Sequence, residues 1–142
     1  MEILLLSTLT DANIADLKAL MAELDSEINV TADMLRSAAC DPATHLFAAV
    51  EDGRIIGCAS LCVCCSPTGR KGSIEDVVVN SAHRGKHIGR QLIEHILDYA
   101  GQELAPIQIK LTSRPAREKA NLLYQAVGFK RYDTNVYKYL CE

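Results

Sequence analysis

A chain of 142 residues has the length of one ordinary domain and can bury about two thirds of its unfolded surface around a single core. Its composition, 49% apolar and 23% charged, is that of a globular protein, and no apolar run approaches the roughly 18 residues that a membrane span needs. The net charge of -3 excludes the basic excess on which nucleic-acid binders depend, so any site for a polyanion must be local.

Met1-Glu2-Ile3-Leu4-Leu5-Leu6 carries an early acidic residue and has neither a basic leader nor a small-residue cleavage site. It reads as a first strand over 2–7 rather than an export signal. Without export, the six cysteines are expected as reduced thiols, which places the chain in the cytoplasm. Thr10 or Asp11 caps a helix whose apolar stripe is Ile14, Leu17, Leu20, Met21 and Leu24. A shorter helix starts near Thr31, carries Met34, Leu35 and Ala38, and ends before Asp41-Pro42. Strands over 45–51 and 54–65 flank Asp52-Gly53, a dipeptide that tolerates the positive φ of a tight hairpin turn. In the second of them Cys62, Cys64 and Cys65 lack the paired spacing of a zinc site. They read as small hydrophobes in a strand buried on both faces, and no metal is expected.

Ser66-Pro67-Thr68-Gly69 breaks the pattern before a strand over 72–79, rich in β-branched residues at Val77, Val78 and Val79. After a loop over 80–86, the residues Ile88, Leu92, Ile93, Ile96, Leu97 and Ala100 recur at helical spacing, with Gly101 placed to stop the helix. A strand over 106–112 follows. The helix predicted over 113–127 has Pro115 in its first turn and Gly128 at its end, and strands over 129–132 and 135–140 close the chain. No linker or repeat interrupts this order. The expectation is one α+β domain over 1–142, with a mixed, largely antiparallel twisted sheet of six to seven strands and helices on both faces.

Arg84-Gly85-Lys86-His87-Ile88-Gly89 falls between a strand end and a helix start. Unpaired N–H groups in a helix's first turn, together with the positive end of its dipole, make a site for phosphate or pyrophosphate. Glycine lets the backbone approach such a ligand, and Arg84 and Lys86 add complementary charge. The sequence has no Gly-Lys-Ser/Thr ending of a P-loop and no Gly-x-Gly-x-x-Gly of a dinucleotide fold. On spacing alone, an ordinary helix entry with a solvated basic patch from His83 to His87 stands as the alternative.

These residues resemble the GCN5-related N-acetyltransferase (GNAT) superfamily, whose signature after a β-strand is Gln/Arg-x-x-Gly-x-Gly/Ala. Arg84 and Gly89 hold its outer positions, and His87 replaces its central glycine. A second block, Ala120-Asn121-Leu122-Leu123-Tyr124-Gln125-Ala126-Val127-Gly128-Phe129, has the family's tyrosine four residues before Gly-Phe. The resemblance implies an acetyltransferase taking acetyl-coenzyme A. Its pyrophosphate would lie on Arg84, Gly85, Lys86, His87, Ile88, Gly89 and Arg90, with pantetheine beside Val77, Val78 and Val79. Asn121 and Tyr124 would also meet the cofactor. Residues 74–92 look especially like glucosamine-6-phosphate N-acetyltransferases, whereas Thr112-Ser113-Arg114-Pro115 and Arg117 resemble general bacterial members.

Acetyl transfer to an amine needs a neutral nucleophile, and alkyl amines are mostly protonated at neutral pH. The resemblance implies Glu75 as the base, acting directly or through water, and Tyr124 as the acid that meets the departing thiolate. Asp76 would point to the opposite face unless a bulge intervened. Without these roles, Glu75 is a strand-end carboxylate and Tyr124 a core tyrosine on a helical stripe with Ala116, Ala120, Leu123 and Val127. Asp16, Glu23, Asp25 and Glu27 either steer a cationic amine or form a solvated face. The acceptor stays open among small amines, amino sugar phosphates and protein lysines, and the terminal strands offer an edge for a homodimer. A coenzyme A-binding module without turnover is the competing reading that His87 leaves room for.

Overall fold

Thr10 starts the first helix by a capping box: its hydroxyl accepts the Asn13 N–H at 3.1 Å while its own N–H donates to Asn13 Oδ1 at 3.0 Å. Thr31 caps the second helix through the Met34 N–H at 3.2 Å. Asp52 and Gly53 turn the first hairpin with φ of 51° and 75°. The structure, a computed structural model, describes all of residues 1–142 and forms two compact units, Met1–Thr112 and Ser113–Glu142. The first holds β1 (Glu2–Leu6), α1 (Asp11–Leu24), α2 (Ala32–Cys40), β2 (Thr44–Glu51), β3 (Arg54–Ser66), β4 (Gly69–Val79), α3 (Ile88–Tyr99) and β5 (Gln108–Lys110). The second holds α4 (Glu118–Ala126). No helix is long and apolar enough to cross a membrane.

The sheet runs in the order β1-β2-β3-β4-β5, with antiparallel pairs as far as β4 and a parallel pair at β4–β5. The α+β class and the mixed, largely antiparallel sheet are as expected. Successive side chains of β2 serve opposite faces. Leu46 and Ala48 pack with Ile14, Leu17 and Leu20 of α1 and with Leu35 and Ala39 of α2. Phe47, between them, meets His95 and Tyr99 of α3 with ring centroids 5.3 and 5.4 Å apart. Helices therefore cover both faces. Leu17, Leu92, Ile93 and Ile96 are fully buried, each contributing about 1.5–3 kcal/mol of transfer free energy.

Several boundaries differ from expectation. The sheet has five strands, not six to seven, and residues 129–142 form no strand. Alternation supplies a pattern, but a strand needs a ladder partner: Val136, Tyr137, Tyr139 and Leu140 are 70–89% exposed. The edge expected to pair across a dimer is thus absent. Gly101 does not end α3, which continues as a π-helical turn over Ala100–Leu104. The chain turns extended at Ala105, the residue before Pro106, where the helical region is disfavoured. The last helix starts at Glu118 rather than at 113, because the Arg117 N–H closes a turn on the Arg114 carbonyl at 3.0 Å and Arg117 itself is not helical. Burial of β3 stops near its middle, so Cys58 is a core thiol while Cys64 and Cys65 are exposed.

Asp16 does not belong to a solvated acidic face. It is 8% exposed and takes Arg54 Nε at 3.1 and 3.2 Å, Arg54 Nη2 at 2.6 Å and the Ile55 N–H at 3.0 Å, tying α1 to the start of β3. The Arg54 hydrogen bonds lead in lowering its pKa below 3.8, burial opposes them, and the Ile55 amide and the Arg54 charge add to the lowering. Stabilisation from this depressed carboxyl is complete above the ordinary aspartate value and is lost as pH falls through the lower folded-state value. Asp16→Ala, which orphans the buried Ile55 amide, should reduce stability by about 1–3 kcal/mol in urea unfolding at pH 7. The gap to the wild type should narrow below about pH 4, near the aspartate reference value.

Candidate active site

β4 carries one residue more than β3 across from it. Glu75 pairs with Ser60 and Val78 with Cys58, so Asp76 and Val77 stand together opposite Ala59. This is a β-bulge, and Asp76 takes the left-handed φ of 54° that it requires. Opposed residues of an antiparallel pair share a face, so Glu75, Ser60 and Cys58 lie on the side of α1 and α2, where Cys58 and Val78 join the core. Asp76 and Val77, both opposed by Ala59, form the bulged segment between Glu75 and Val78.

The two carboxylates differ in partners. Glu75 Oε1 accepts the Ser73 hydroxyl at 2.6 Å. Asp76 uses its main-chain carbonyl to receive Cys58 Sγ at 3.9 Å, while no side chain donates to its carboxyl. Although the residue is solvent-accessible, burial of its carboxyl against the strands raises its pKa, and the Glu75 charge raises it further. Cys58 is pushed up to about 12, chiefly by burial and then by Asp76. Cys62 is also raised, mainly by burial.

β5 pairs with β4 only from Lys71 to Ser73. Beyond that, the edge of β4 through Val77, Val78 and Val79 has no strand beside it, leaving main-chain groups open to a ligand. The strand leads into a pinned loop. Asn80 Oδ1 accepts the Ala82 N–H at 2.9 Å, and Glu23 of α1 accepts the Ser81 N–H at 3.1 Å. Arg84 does not stand free, because its Nε donates to the Val79 carbonyl at 3.2 Å. Gly85, at φ 80°, has nothing within 4 Å of a built Cβ. Lys86 is exposed, and Arg90 pairs with Glu94 at 2.7 Å.

His87 caps α3 in the left-handed region, φ 61° and ψ 22°, without a side-chain bond to the helix. That backbone suits glycine best, which accounts for glycine at this point of the signature. The first helical bond runs from the Gln91 N–H to the His87 carbonyl at 3.0 Å. The Ile88, Gly89 and Arg90 N–H groups therefore have no acceptor in the helix and meet a ligand at its positive end. Residues 75–90 of the expected site form one continuous strand, loop and helix.

Asn121 and Tyr124 belong to the second unit. Asn121 Nδ2 donates to the Arg114 carbonyl at 3.1 Å. Tyr124, 7% exposed, sits where α4 ends in a Schellman motif. The Gly128 N–H returns to the Gln125 carbonyl at 3.1 Å and the Phe129 N–H to that of Tyr124 at 2.9 Å, with Gly128 at φ 111°. The accompanying apolar contact is Tyr124 on Phe129, centroids 6.2 Å apart and edge to face. The tyrosine, glycine and phenylalanine of the sequence block are thus parts of one cap. Burial raises the Tyr124 pKa, against a smaller opposing effect of Arg117.

Residues 12–129 match the acetyltransferase (GNAT) family. The chain is 30% identical, over 78% of its own length and 70% of the relative, to the N-alpha-acetyltransferase RimI of Mycobacterium tuberculosis. A ribosomal-protein-alanine N-acetyltransferase from Brucella melitensis is 25% identical, with TM-score 0.77 over 99% of both chains. A glucosamine-6-phosphate N-acetyltransferase from Arabidopsis thaliana shares the fold at 21% identity, with TM-score 0.76 over 99% of this chain and 98% of that one. The chain belongs to the GNAT family and is an acetyltransferase.

His87→Gly should release the left-handed strain and, net of glycine's added freedom when unfolded, raise stability by about 0.5–1 kcal/mol. Gly128→Ala should act in the opposite sense, lowering it by about 1–2 kcal/mol. Urea midpoints of the two variants measure both.

Proposed function

We propose that the chain moves the acetyl group of acetyl-coenzyme A to a primary amine, with both units serving one acetyltransferase domain over 1–142. The observation that carries the reading is the open edge of β4, which leads through the pinned loop after Val79 to the orphan N–H groups of α3. Pyrophosphate fits the Ile88, Gly89 and Arg90 amides, with Lys86 and the flanking arginines Arg84 and Arg90 supplying charge and Gly85 leaving the approach clear. Pantetheine amides fit the edge of β4 along Val77, Val78 and Val79, where no further strand pairs and Arg84 already holds the Val79 carbonyl. Bound there, acetyl-coenzyme A supplies an activated thioester. A β4 N–H facing its carbonyl oxygen would stabilise charge developing on it.

The amine nitrogen attacks the carbonyl carbon, forming C–N and, on collapse of the tetrahedral intermediate, breaking C–S. Its proton leaves to the β4 carboxylates, where Glu75 holds the family position. The sulfur leaves as thiolate and is met by the Tyr124 phenol, a role that rests on the family resemblance, as does Asn121 beside the cofactor. For the acceptor, the two bacterial relatives named above favour the α-amino group of a polypeptide. Such an amine has a reference pKa of about 7.7–8.0, so roughly a tenth is already neutral at pH 7 and a carboxylate suffices as base. Six free thiols accord with residence in the cytoplasm.

Calorimetry should detect acetyl-coenzyme A binding. Thiol release should follow with an alanine-initiated peptide in preference to lysine peptides, polyamines or glucosamine 6-phosphate. Tyr124→Phe should lower kcat by about 100-fold while leaving acetyl-coenzyme A affinity within about twofold. An unchanged rate would make the phenol purely structural, and binding without release across the panel would sink the transfer reading.

A further inference from the structure

No side chain of residues 81–87, which join β4 to α3, is buried. Apolar packing fixes the two ends, at Val78 and Ile88, and leaves the stretch between them to hydrogen bonds. The Asn80 N–H holds its start on the Ile56 carbonyl at 2.8 Å. The Ala82 and His83 N–H groups then close back on Asn80 at 2.9 Å each, which turns the chain without attaching it to other elements. Apart from Arg84 on the Val79 carbonyl, two polar contacts reach outward. The Ser81 N–H donates to Glu23 Oε1 of α1 at 3.1 Å, and His83 Nε2 lies 3.5 Å from Glu51 Oε2 at the end of β2.

The shorter of these contacts comes from an unexpected side chain. Glu23 is exposed in the last turn of α1, the negative end of the helix dipole, where a carboxylate gains nothing from its own helix. Its charge would also repel a pyrophosphate on the Ile88, Gly89 and Arg90 amides. What it gains is the loop. The Ser81 hydroxyl leads in lowering the Glu23 pKa, burial opposes it, and the Ser81 amide and the Arg84 charge add to the lowering. The platform behind Glu23 is firm, since Leu17 and Leu20 of α1 are fully buried and Asp16 is tied to Arg54.

Resting on the acetyl-coenzyme A site read above, we propose that Glu23 is a positioning residue of that site. From α1 it holds Ser81, and through it the loop whose far end presents the anion-binding amides, in the binding geometry before the cofactor arrives. A loop that visits this geometry only part of the time binds with an affinity reduced by that fraction. In this role the carboxylate touches neither cofactor nor acceptor. It governs acetyl-coenzyme A affinity rather than the chemical step, and it is not a charge that steers the amine.

Two substitutions separate the bond from the charge: Glu23→Ala removes both, whereas Glu23→Gln keeps an amide oxygen for the Ser81 N–H. The acetyl-coenzyme A dissociation constant, measured by calorimetry, should rise about five- to tenfold in Glu23→Ala, the low end for a hydrogen bond to a charged group because the position is exposed. Glu23→Gln should stay within about twofold of the wild type. In both, kcat at saturating acetyl-coenzyme A and KM for an alanine-initiated peptide should hold within about twofold. Hydrogen exchange at the amides of residues 81–83 in the cofactor-free protein should quicken in Glu23→Ala alone. Acetyl-coenzyme A binding by Glu23→Ala equal to or tighter than that of the wild type would overturn the proposal, because losing a mere surface charge relieves repulsion. A Glu23→Gln variant as impaired as Glu23→Ala, or unchanged exchange at 81–83 in Glu23→Ala, would overturn it as well. Failure of the underlying reading looks different: a wild type that binds no acetyl-coenzyme A sinks that reading, and the proposal with it.

Discussion

One extra residue in β4 governs the arrangement of the first unit. A regular strand from Ile74 to Val79 would alternate faces, with Glu75 and Val77 on one side and Asp76 and Val78 on the other. With Asp76 and Val77 both opposite Ala59, the alternation resets. Val78 joins the core beneath α1 and α2, and Val79 comes opposite Gly57. The approach there is close: a Cβ added at residue 57 would lie 3.2 Å from the Val78 carbonyl and 3.4 Å from Leu92 of α3, so its neighbours would have to give way. The strand's exit into the Asn80 loop, and hence the entry of α3, depends on that reset register. The left-handed residue in the middle is the cost of the arrangement, and an aspartate bears it more easily than a β-branched residue would.

How much of this was legible in the sequence follows from whether a feature is local. The Asp52-Gly53 hairpin, the Thr10 and Thr31 caps and the 3.6-residue stripe of α3 are written in residues that touch one another along the chain. All of them appear where expected. The Tyr124 block is legible for the same reason, because a Schellman cap with its apolar contact spans only a few residues and needs glycine at one fixed place. The bulge is not local. It arises from the mismatch of two strands, and its faint signal, an aspartate among valines, reads equally well as a charge on a regular strand.

Other departures have the same origin. Alternating residues over 129–142 satisfy the strand pattern, yet pattern without a ladder partner does not make a strand. The exposed half of β3 carries Cys64 and Cys65 because helix cover ends near Leu61, and cover is a tertiary property. Asp16 looked like one of several acidic residues on a helix surface. Its two hydrogen-bonded partners, Arg54 and Ile55, come from β3, 38 and 39 residues away in sequence, so nothing near it could announce them. His87 is the converse case: the sequence revealed a departure from glycine, and the backbone shows what it entails, a strained cap whose main-chain amides beyond it are still free to bind an anion.

Burial raises the pKa of both Asp76 and Tyr124, but the consequences for proton transfer differ. For a carboxylate, a higher pKa strengthens the base. For a phenol, a higher pKa weakens the acid. With reference values near 10 for tyrosine and 8.5 for an alkyl thiol, complete transfer to a thiolate is already uphill by about 2 kcal/mol, and burial adds to that. In the acetyl transfer proposed above, Tyr124 would assist departure as a neutral donor in a hydrogen bond to the developing thiolate. The same physical effect, removal from water, makes one group a better acceptor and keeps the other a donor.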